Sequence, residues 1–215
     1  FLRRRNGTGT EQYQIFFSDG AYPRYYDKQK EPKTHQFLIR FADGPCLAVS
    51  IQMYGFIGVF PLGVIEQGYY RSSMSKPDPL QKDFTYEYFK DLYRDNGKKM
   101  SVKAFLATEQ RIPGLGNGVL QDILWKAGIH PRFDMKNMDE STFRAVYESV
   151  RTTLSQMRAA GGRNTEKDFF GSKGGYQTKM CSDTLGKPCT RCGAAIEKAN
   201  YMGGTVYFCP QCQRK

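Results

Sequence analysis

Long apolar runs are missing from this sequence, as are other features that would assign it to a class. The longest apolar-looking segment, YGFIGVFPLGVI, is short and broken by glycine and proline, whereas a membrane-spanning helix needs about 20 apolar residues. The first residues, FLRRRNGTGT, contain no apolar core of the kind that a signal peptide has. Six cysteines among 215 residues do not resemble a secreted disulfide scaffold. The sequence therefore predicts an intracellular, reducing location.

Acidic residues are few relative to basic ones. Lysine and arginine total 32 and aspartate and glutamate 21, so the formal charge is +11. Such an excess favours a polyanionic partner, either nucleic acid or an anionic membrane surface. A solvated basic surface with no partner is the alternative that charge alone leaves open.

The hydrophobic pattern divides the chain into four segments. Residues 1–62 contain three alternating runs, YQIFFSDG, FLIRFADG and CLAVSIQMY, which predict strands separated by Asp-Gly turns. Between the first two runs, the polar stretch YYDKQKEPKTHQ predicts a loop. Residues 63–82 are rich in proline, glycine and serine and predict a linker. Residues 83–180 carry apolar side chains at helical spacing, and residues 181–215 hold four of the cysteines.

Helix boundaries can be assigned within the third segment. Polar residues predict N-caps at Ser101, at Asn117 and at the capping-box-like pair Asn137 and Glu140. A Gly-Gly pair at 161–162 predicts the end of the last helix. Residues 163–180 predict a loop.

Four cysteines follow the spacing C-x2-C, sixteen residues, C-x2-C: Cys189, Cys192, Cys209 and Cys212. Two residues between thiolates let both reach one ion from a tight turn, and a β-hairpin in YMGGTVYF would bring the second pair back. Four thiolates select Zn²⁺ in a closed tetrahedral site that has no open position for chemistry. The sequence therefore predicts one structural zinc ion, with two disulfides as the alternative. Such clips occur in nucleic-acid binders, protein adaptors and structural staples, and the positive charge favours the first.

A proline- and glycine-rich turn precedes a helix in EQRIPGLGNGVLQDILWKAGIHPR. Pro113 blocks continuation of the preceding helix. Three glycines permit tight turns and the close approach of an outside group: Gly114, Gly116 and Gly118. Asn117 can cap the helix or reach a phosphate oxygen, and the N–H groups of the helix start would complete an anion site. A plain helix–turn–helix connection is the alternative.

Four motifs together resemble the formamidopyrimidine-DNA glycosylase and endonuclease VIII family. IPGLGNGVLQDILWKAGIHP is similar to its helix-two-turn-helix signature, and PCTRCG…YFCPQCQ is similar to its zinc finger. GGRNTEKDF resembles the segment that links the two, and SIQMYG resembles the endonuclease VIII loop that fills the gap left by an extruded base. The resemblance implies an α+β fold with a partial N-terminal β-sandwich, a helical helix-two-turn-helix domain and a C-terminal zinc-finger β-hairpin.

The resemblance implies that residues of the glycine turn contact the phosphates flanking a lesion. Asn117 takes this role, with the backbone around it at Gly114 and Gly116. Lys103 and Arg111 are candidate contacts to the DNA backbone on grounds of charge alone.

A second implied contact is the triplet that fills the gap in the base stack: Gln52, Met53 and Tyr54. Extruding a base costs a few kcal/mol, and inserted apolar or amphipathic side chains recover part of it. Without the family context, the triplet predicts only the end of a strand.

The chain departs from the family pattern at its start. Family members begin with proline, whose amine forms a Schiff base with the sugar C1′, followed by glutamate. This chain begins with Phe1 and Leu2, so we expect several tens of N-terminal residues of the family pattern to be absent, and no catalytic residue is identifiable. Spacing places the family's catalytic lysine near His35, with Lys33 two residues away, and assigns the role to neither.

The chain also departs from the family pattern in the zinc finger. Where the family usually has a phosphate-binding arginine, five residues before the third cysteine, this chain has Gly204. Gly203 and Gly204 predict a tight turn, which would leave the phosphate contact to backbone N–H groups or to Lys198. Losing one charge-assisted phosphate bond should weaken binding modestly.

These observations lead to two hypotheses for function. The first is a DNA glycosylase with apurinic/apyrimidinic lyase activity, expected to be a monomer, that binds kinked, damaged double-stranded DNA and removes oxidised pyrimidines or formamidopyrimidines. The alternative is a zinc-dependent protein that recognises lesions without catalysis. A zinc-ribbon interaction module unrelated to DNA is poorly supported, because it would not account for the glycine turn.

Overall fold

The structure, a computed structural model, describes residues 2–6, 9–18, 20–52, 55–64, 68–94 and 99–215. It contains two compact units: unit 1 comprises Phe1–Arg71 and Thr165–Gly174, and unit 2 comprises Ser72–Asn164 and Gly175–Lys215. None of the helices in the described part of the chain has the length and apolar character needed to cross a membrane. The four-segment division proposed from the sequence stays a prediction.

Unit 1 is built from two antiparallel three-stranded sheets. Its strands are β1 (Leu2–Asn6), β2 (Gly9–Phe17), β3 (Ala21–Tyr26), β4 (Phe37–Arg40), β5 (Cys46–Ile51) and β6 (Ile57–Pro61). One sheet has the order β1-β2-β6 and the other the order β3-β5-β4. The three alternating runs predicted as strands are β2, β4 and β5. Val49, fully buried at the centre of β5, pairs with both Pro23 and Phe37.

The segment 63–82, predicted as a linker, contains helix α1 (Gly68–Ser75). The sequence of this segment shows no helical apolar period, because few side chains of α1 are buried in a core. Pro77 follows the helix two residues later, where the residue preceding a proline is driven out of the helical conformation.

Unit 2 has a helical core. Its longer helices are α2 (Tyr86–Arg94), α3 (Val102–Ala107), α4 (Asn117–Ala127) and α5 (Glu140–Ala159). Their buried faces pack aromatic on aliphatic side chains; among the fully buried members are Phe89, Phe105, Leu120, Ile123, Leu124 and Val150. Each such side chain contributes about 1.5–3 kcal/mol when it leaves water. The helical spacing read from the sequence is therefore the spacing of the core.

Helix caps only partly follow the prediction. Ser101 is the N-cap of α3 and accepts a hydrogen bond from the N–H of Ala104 at 3.2 Å, as predicted. The cap of α5 is Asp139, which accepts from the N–H of Thr142 at 2.7 Å, so the pair Asn137 and Glu140 was wrong. Sequence could not separate these neighbours because both Asn and Asp cap well.

The cysteine segment contains the predicted hairpin, β7 (Glu197–Tyr201) and β8 (Gly204–Phe208). The turn lies one residue earlier than predicted. Met202 and Gly203 both have positive φ, 51° and 71°, as a two-residue hairpin turn of the primed type requires. Gly204 is already the first residue of β8, opposite Tyr201.

Candidate nucleic-acid interface

The four cysteines with metal-ligand spacing come together in unit 2. The sulfurs of Cys189, Cys192, Cys209 and Cys212 all lie within 4.8 Å of one another. The Sγ–Sγ distances are 3.9 Å for Cys189 and Cys212, and 3.4 Å for Cys192 and Cys209. Tetrahedral Zn–S bonds of about 2.3 Å place sulfurs about 3.8 Å apart, so the cluster is consistent with a zinc site. All six cysteines are described, and none forms a disulfide, so the two-disulfide alternative is not observed.

The polar environment of Cys189 favours its thiolate form. Burial acts to raise the pKa of the Cys189 thiol, but N–H groups of Arg191, Trp125 and Cys192 outweigh it and lower that pKa to about 6. The ligand set is closed, with four sulfurs and no open position, so a metal held here would stabilise the fold rather than take part in a reaction.

The C-terminal end of α4 holds one side of this cluster. The Trp125 indole donates from Nε1 to Cys189 Sγ at 3.4 Å. Arg191, between the first two cysteines, stacks on the Trp125 ring, its Cζ 4.6 Å from the centroid. The same guanidinium donates to the carbonyls of Trp125 and Lys126 at 3.1 and 3.2 Å. Because these are among the last carbonyls of the helix, a cation is also favoured there by the helix dipole.

The N-terminal end of α4 holds the hairpin. Asn117 donates from Nδ2 to the Thr205 carbonyl at 3.0 Å, and Gln121 donates from Nε2 to the same oxygen at 3.2 Å. The Gln121 Oε1 in turn accepts from the N–H of Tyr207 at 2.6 Å. One helix thus positions both the cysteine cluster and the hairpin that runs between its cysteine pairs.

Asn117 is the first residue of α4, and the N-cap is Gly116. The predicted capping role is therefore wrong; the side chain reaches across to the hairpin instead. A side-chain amide has two N–H donors, and the bond to Thr205 uses one of them. The N–H of Val119 bonds the Gly116 carbonyl at 3.1 Å, whereas the two N–H groups before it have no preceding helix carbonyl to bond.

The glycines around Asn117 differ in their surroundings. Gly114 has a φ of +76°, and nothing lies within 4 Å of the position where a Cβ would project from it or from Gly116. At Gly118, by contrast, a Cβ would lie 2.7 Å from the Arg163 guanidinium. Gly114 and Gly116 therefore leave room for an outside group, whereas a side chain at Gly118 would have to displace the Arg163 guanidinium.

The predicted cationic contacts separate into different environments. Lys103 is only 5% exposed, and its Nζ donates to the Tyr201 carbonyl at 2.5 Å; burial lowers its pKa. Lys198 is exposed on β7, opposite Tyr207. Arg111 is also 5% exposed and donates to interior carbonyls of Ala104 and Thr108. Its role is therefore structural, which contradicts its choice as a DNA contact.

The remaining predicted site residues belong to unit 1. Gln52 is exposed, and its N–H donates to the Gly20 carbonyl at 2.8 Å. Met53 and Tyr54 lie outside the described residues. Lys33 is exposed, and His35 Nδ1 lies 3.2 Å from the Pro32 carbonyl.

Unit 1 contains a pocket that the sequence did not predict. Its volume is about 1030 Å³, and strand β3 and the segment Thr165–Gly174 line it. The N–H of Tyr25 donates to the Phe169 carbonyl at 2.9 Å, and the Tyr25 and Phe170 rings are 5.8 Å apart. Four cations, Arg24, Lys30, Lys167 and Lys173, share the lining with two acids, Asp27 and Glu166. The sequence signal was the exposed Phe-Phe pair between lysines in a segment read only as loop.

His130 lies behind the hairpin, 2% exposed and edge-on to Phe208 at 4.4 Å. Its Nδ1 accepts from the N–H of Arg132 at 3.1 Å, and its buried Nε2 has no hydrogen-bond partner among the described residues. Burial, followed by the positive charges of Lys215 and Arg132, lowers the pKa of His130 to about 4.

This histidine should make unit 2 sensitive to acid. Unfolded His130 titrates near pH 6.5, so between pH 6.5 and 4 the unfolded chain binds a proton that the folded chain does not. The free energy of unfolding of unit 2 is therefore unaffected by this titration above pH 6.5, and it falls by up to about 3 kcal/mol as the pH drops toward 4. In His130→Asn, whose Oδ1 can accept from Arg132, we expect a shallower loss in zinc-saturated urea unfolding from about pH 7 to about pH 5. An equal loss in both proteins would contradict this assignment.

Several known proteins are similar to this chain in sequence. A model of the formamidopyrimidine-DNA glycosylase H2TH domain matches residues 76–168. The formamidopyrimidine-DNA glycosylase of Streptococcus pneumoniae is 28% identical over 201 residues, which is 92% of this chain and 72% of the relative. The chain is thus similar in sequence to the formamidopyrimidine-DNA glycosylases and contains a match to their H2TH domain. The family enzyme of Lactococcus lactis is 27% identical over 191 residues, 88% of this chain and 69% of the relative.

Solved family structures share the fold. A complex between the Lactococcus lactis family enzyme and DNA containing an abasic site has a TM-score of 0.77 and 23% identity, over 99% of this chain and 81% of that one. A mutant of the same enzyme, in complex with DNA containing Fapy-dG, has a TM-score of 0.77 and 22% identity. The predicted fold class is thereby confirmed: N-terminal β-sheets, a helical H2TH region and a C-terminal hairpin with a four-cysteine cluster.

Proposed function

We propose that this chain is a base-excision DNA glycosylase with apurinic/apyrimidinic lyase activity on oxidised bases. The observation that carries the proposal is the 3.0 Å bond from Asn117 Nδ2 to the Thr205 carbonyl. It brings the glycine turn and the cysteine-held hairpin together within unit 2. Two loops from distant parts of the chain, both with accessible N–H donors, can then bind neighbouring phosphates of one strand.

The cysteine cluster supports this arrangement by holding one zinc ion. Cys189, Cys192, Cys209 and Cys212 would be its ligands, and the ion would supply no reaction chemistry. Its effect is to fix the hairpin against α4, because Cys189 and Arg191 contact the helix at Trp125. Ligands that are disordered in the unfolded chain make the energy of metal binding part of the energy of folding.

The pocket of unit 1 is where we place the extruded base. Its volume of about 1030 Å³ is ample for a nucleobase, and stacking of a base on an aromatic side chain contributes about 1–3 kcal/mol. Phe170, 70% exposed, and Tyr22, 40% exposed, offer such faces. The lysines around these rings favour a substrate that carries negatively charged phosphate groups.

Borohydride trapping tests the chemistry. The lyase reaction passes through a Schiff base between a protein amine and C1′ of the sugar, which borohydride reduces to a stable amine. With the native protein and abasic-site duplex, we expect a covalent adduct, and peptide mapping then identifies the amine. Lys33→Arg, compared with Lys28→Arg, asks whether the exposed Lys33 supplies it. Retained binding without any adduct would instead establish the alternative, a lesion-binding protein without catalysis.

A further inference from the structure

Two cations share one aromatic ring at the end of the hairpin. The Arg132 Cζ lies 4.9 Å, and the Lys103 Nζ 5.7 Å, from the centroid of the Tyr201 ring. Arg132 also donates from Nη2 to the Asn200 carbonyl at 3.0 Å, and Lys103 donates to the Tyr201 carbonyl at 2.5 Å. The two cations therefore bind the backbone carbonyls of the last two residues of β7.

The two cations are held on adjoining pieces of backbone. The N–H of Lys103 donates to the Pro131 carbonyl at 3.2 Å, and the N–H of Arg132 donates to the buried His130 ring at 3.1 Å. Val102 donates in the same way to Phe133 at 2.9 Å. The start of α3 and the loop before α5 thus form one rigid base for both charges.

The positive charge at this place is not balanced by acids. None of the ion pairs found in the described part of the chain involves Lys103 or Arg132. The nearby Asp134 accepts from the N–H of Lys136 and, within the described residues, forms no ion pair with either cation. Two like charges on one ring repel each other, and an anion bound between them and solvent would relieve that repulsion. Contact of a cation with the Tyr201 ring contributes only about 0.5–2 kcal/mol toward offsetting this repulsion.

This cation pair borders the Asn117 turn. A Cβ on Gly204 would lie 3.4 Å from Asn117 Nδ2 and 3.7 Å from Lys103 Nζ. Gly204 has no side chain to fill the space, so the amide and the ammonium group meet at the start of β8. Any phosphate bound by the Asn117 turn lies within electrostatic reach of Lys103 and Arg132.

We propose that Arg132 is a DNA phosphate-binding residue, and that with Lys103 it supplies at the hairpin end the positive charge that Gly204 lacks. The inference rests on the proposed function, since it assumes that this face of unit 2 binds DNA. A guanidinium suits the task because its planar fork can hold the Asn200 carbonyl with one nitrogen and a phosphate oxygen with another. Arg132 is exposed, whereas Lys103 is buried and acts mainly through its charge.

The salt dependence of DNA affinity tests the proposal. Each phosphate contact contributes about 0.9 to the slope of log K against log salt. For Arg132→Gln, binding a duplex of random sequence, we expect that slope to fall by about 0.9 and the affinity at low salt to fall about tenfold. Arg132→Lys should keep the slope. The control, Lys136→Gln, removes an exposed charge from the same loop and should leave both quantities unchanged.

The outcomes separate the two proposals. A weaker affinity of Arg132→Gln with an unchanged slope would mean that Arg132 only holds the hairpin, which overturns this inference and leaves the proposed function standing. If the wild-type protein shows no salt-dependent affinity for DNA, both proposals fail. An active fraction that stays constant across the salt range leaves the slope unchanged, so a partly unfolded variant that meets this condition still decides the question.

A restoring substitution gives an independent check. A Cβ on Gly204 would make only ordinary van der Waals contacts, with Asn117 and Lys103. In the Arg132→Gln background, Gly204→Arg should return the slope to the wild-type value and recover most of the tenfold loss. A folded double variant whose slope stays low would contradict the claim that charge at this hairpin end is what Arg132 provides.

Discussion

Removing the metal, or replacing Cys209 by serine, should detach the hairpin and abolish DNA binding. Cys209 is fully buried and packs with Met180 and Ile196 in a small core of its own. A core of this size cannot hold a β-hairpin alone, whereas structural zinc sites in finger peptides contribute roughly 10–16 kcal/mol. We expect DNA affinity to fall at least about 100-fold, equivalent to about 2.7 kcal/mol.

Trp125 provides the measurement for this prediction. It is the single tryptophan of the chain, and its Nε1 lies 3.4 Å from Cys189 Sγ. Its emission should shift to longer wavelength when a chelator removes the metal, in step with the loss of DNA binding. Cys181→Ser is the matched control, because Cys181 lies next to the finger but outside the cluster. Purified protein that contains no zinc, or Cys209→Ser protein that binds DNA as well as wild type, would contradict the prediction.

Asn117→Asp should be the most damaging single substitution at the glycine turn. The two side chains have the same shape, but the carboxylate cannot donate to the Thr205 carbonyl and it repels a phosphate. Losing one charge-assisted hydrogen bond costs about 1.5–3 kcal/mol, and the new repulsion adds to this, so we expect affinity for abasic-site duplex to fall at least about 100-fold. Asn117→Ala removes the bond without the repulsion and should cost about tenfold. Gel-shift or anisotropy titration measures both.

Two controls separate the phosphate contact from other effects. Asn137→Asp adds the same charge at an exposed residue elsewhere in unit 2 and should change little. Gln121→Ala removes the other donor to the Thr205 carbonyl and the acceptor of the Tyr207 N–H while keeping the Asn117 side chain, so it reports the cost of loosening the hairpin without loss of the Asn117 amide. If Asn117→Ala binds as tightly as wild type, Asn117 has no role in binding phosphate.

Predictions from sequence succeeded where the signal was local. The C-x2-C spacing identified the four-cysteine cluster, because two residues between thiols allow one tight turn and little else. The alternation in CLAVSIQMY identified β5, whose Val49 is fully buried. Ser101 was identified as a cap because its hydroxyl bonds a backbone N–H only three residues away.

Predictions failed where the side chain had a distant partner. Asn117 looked like an N-cap, but its amide instead reaches Thr205, 88 residues later. Arg111 looked like a free cation, but it satisfies carbonyls inside unit 2. None of the three predicted strand runs includes β3, and its last two residues, Tyr25 and Tyr26, fell in the predicted loop, because its pairing with β5 and its contact with Phe169 are not visible in its own residues.

Local patterns in the sequence were enough to predict the ligand set of the cysteine cluster, the helical core and the resemblance to the formamidopyrimidine-DNA glycosylases. Only the tertiary structure decided that Lys103 and Arg132 meet on Tyr201, and that Asn117 and the hairpin share one face. The physical reason is range. Spacing and periodicity encode contacts within a turn or a strand, whereas a side chain that bonds across 68 to 98 residues is placed by the packing of whole elements.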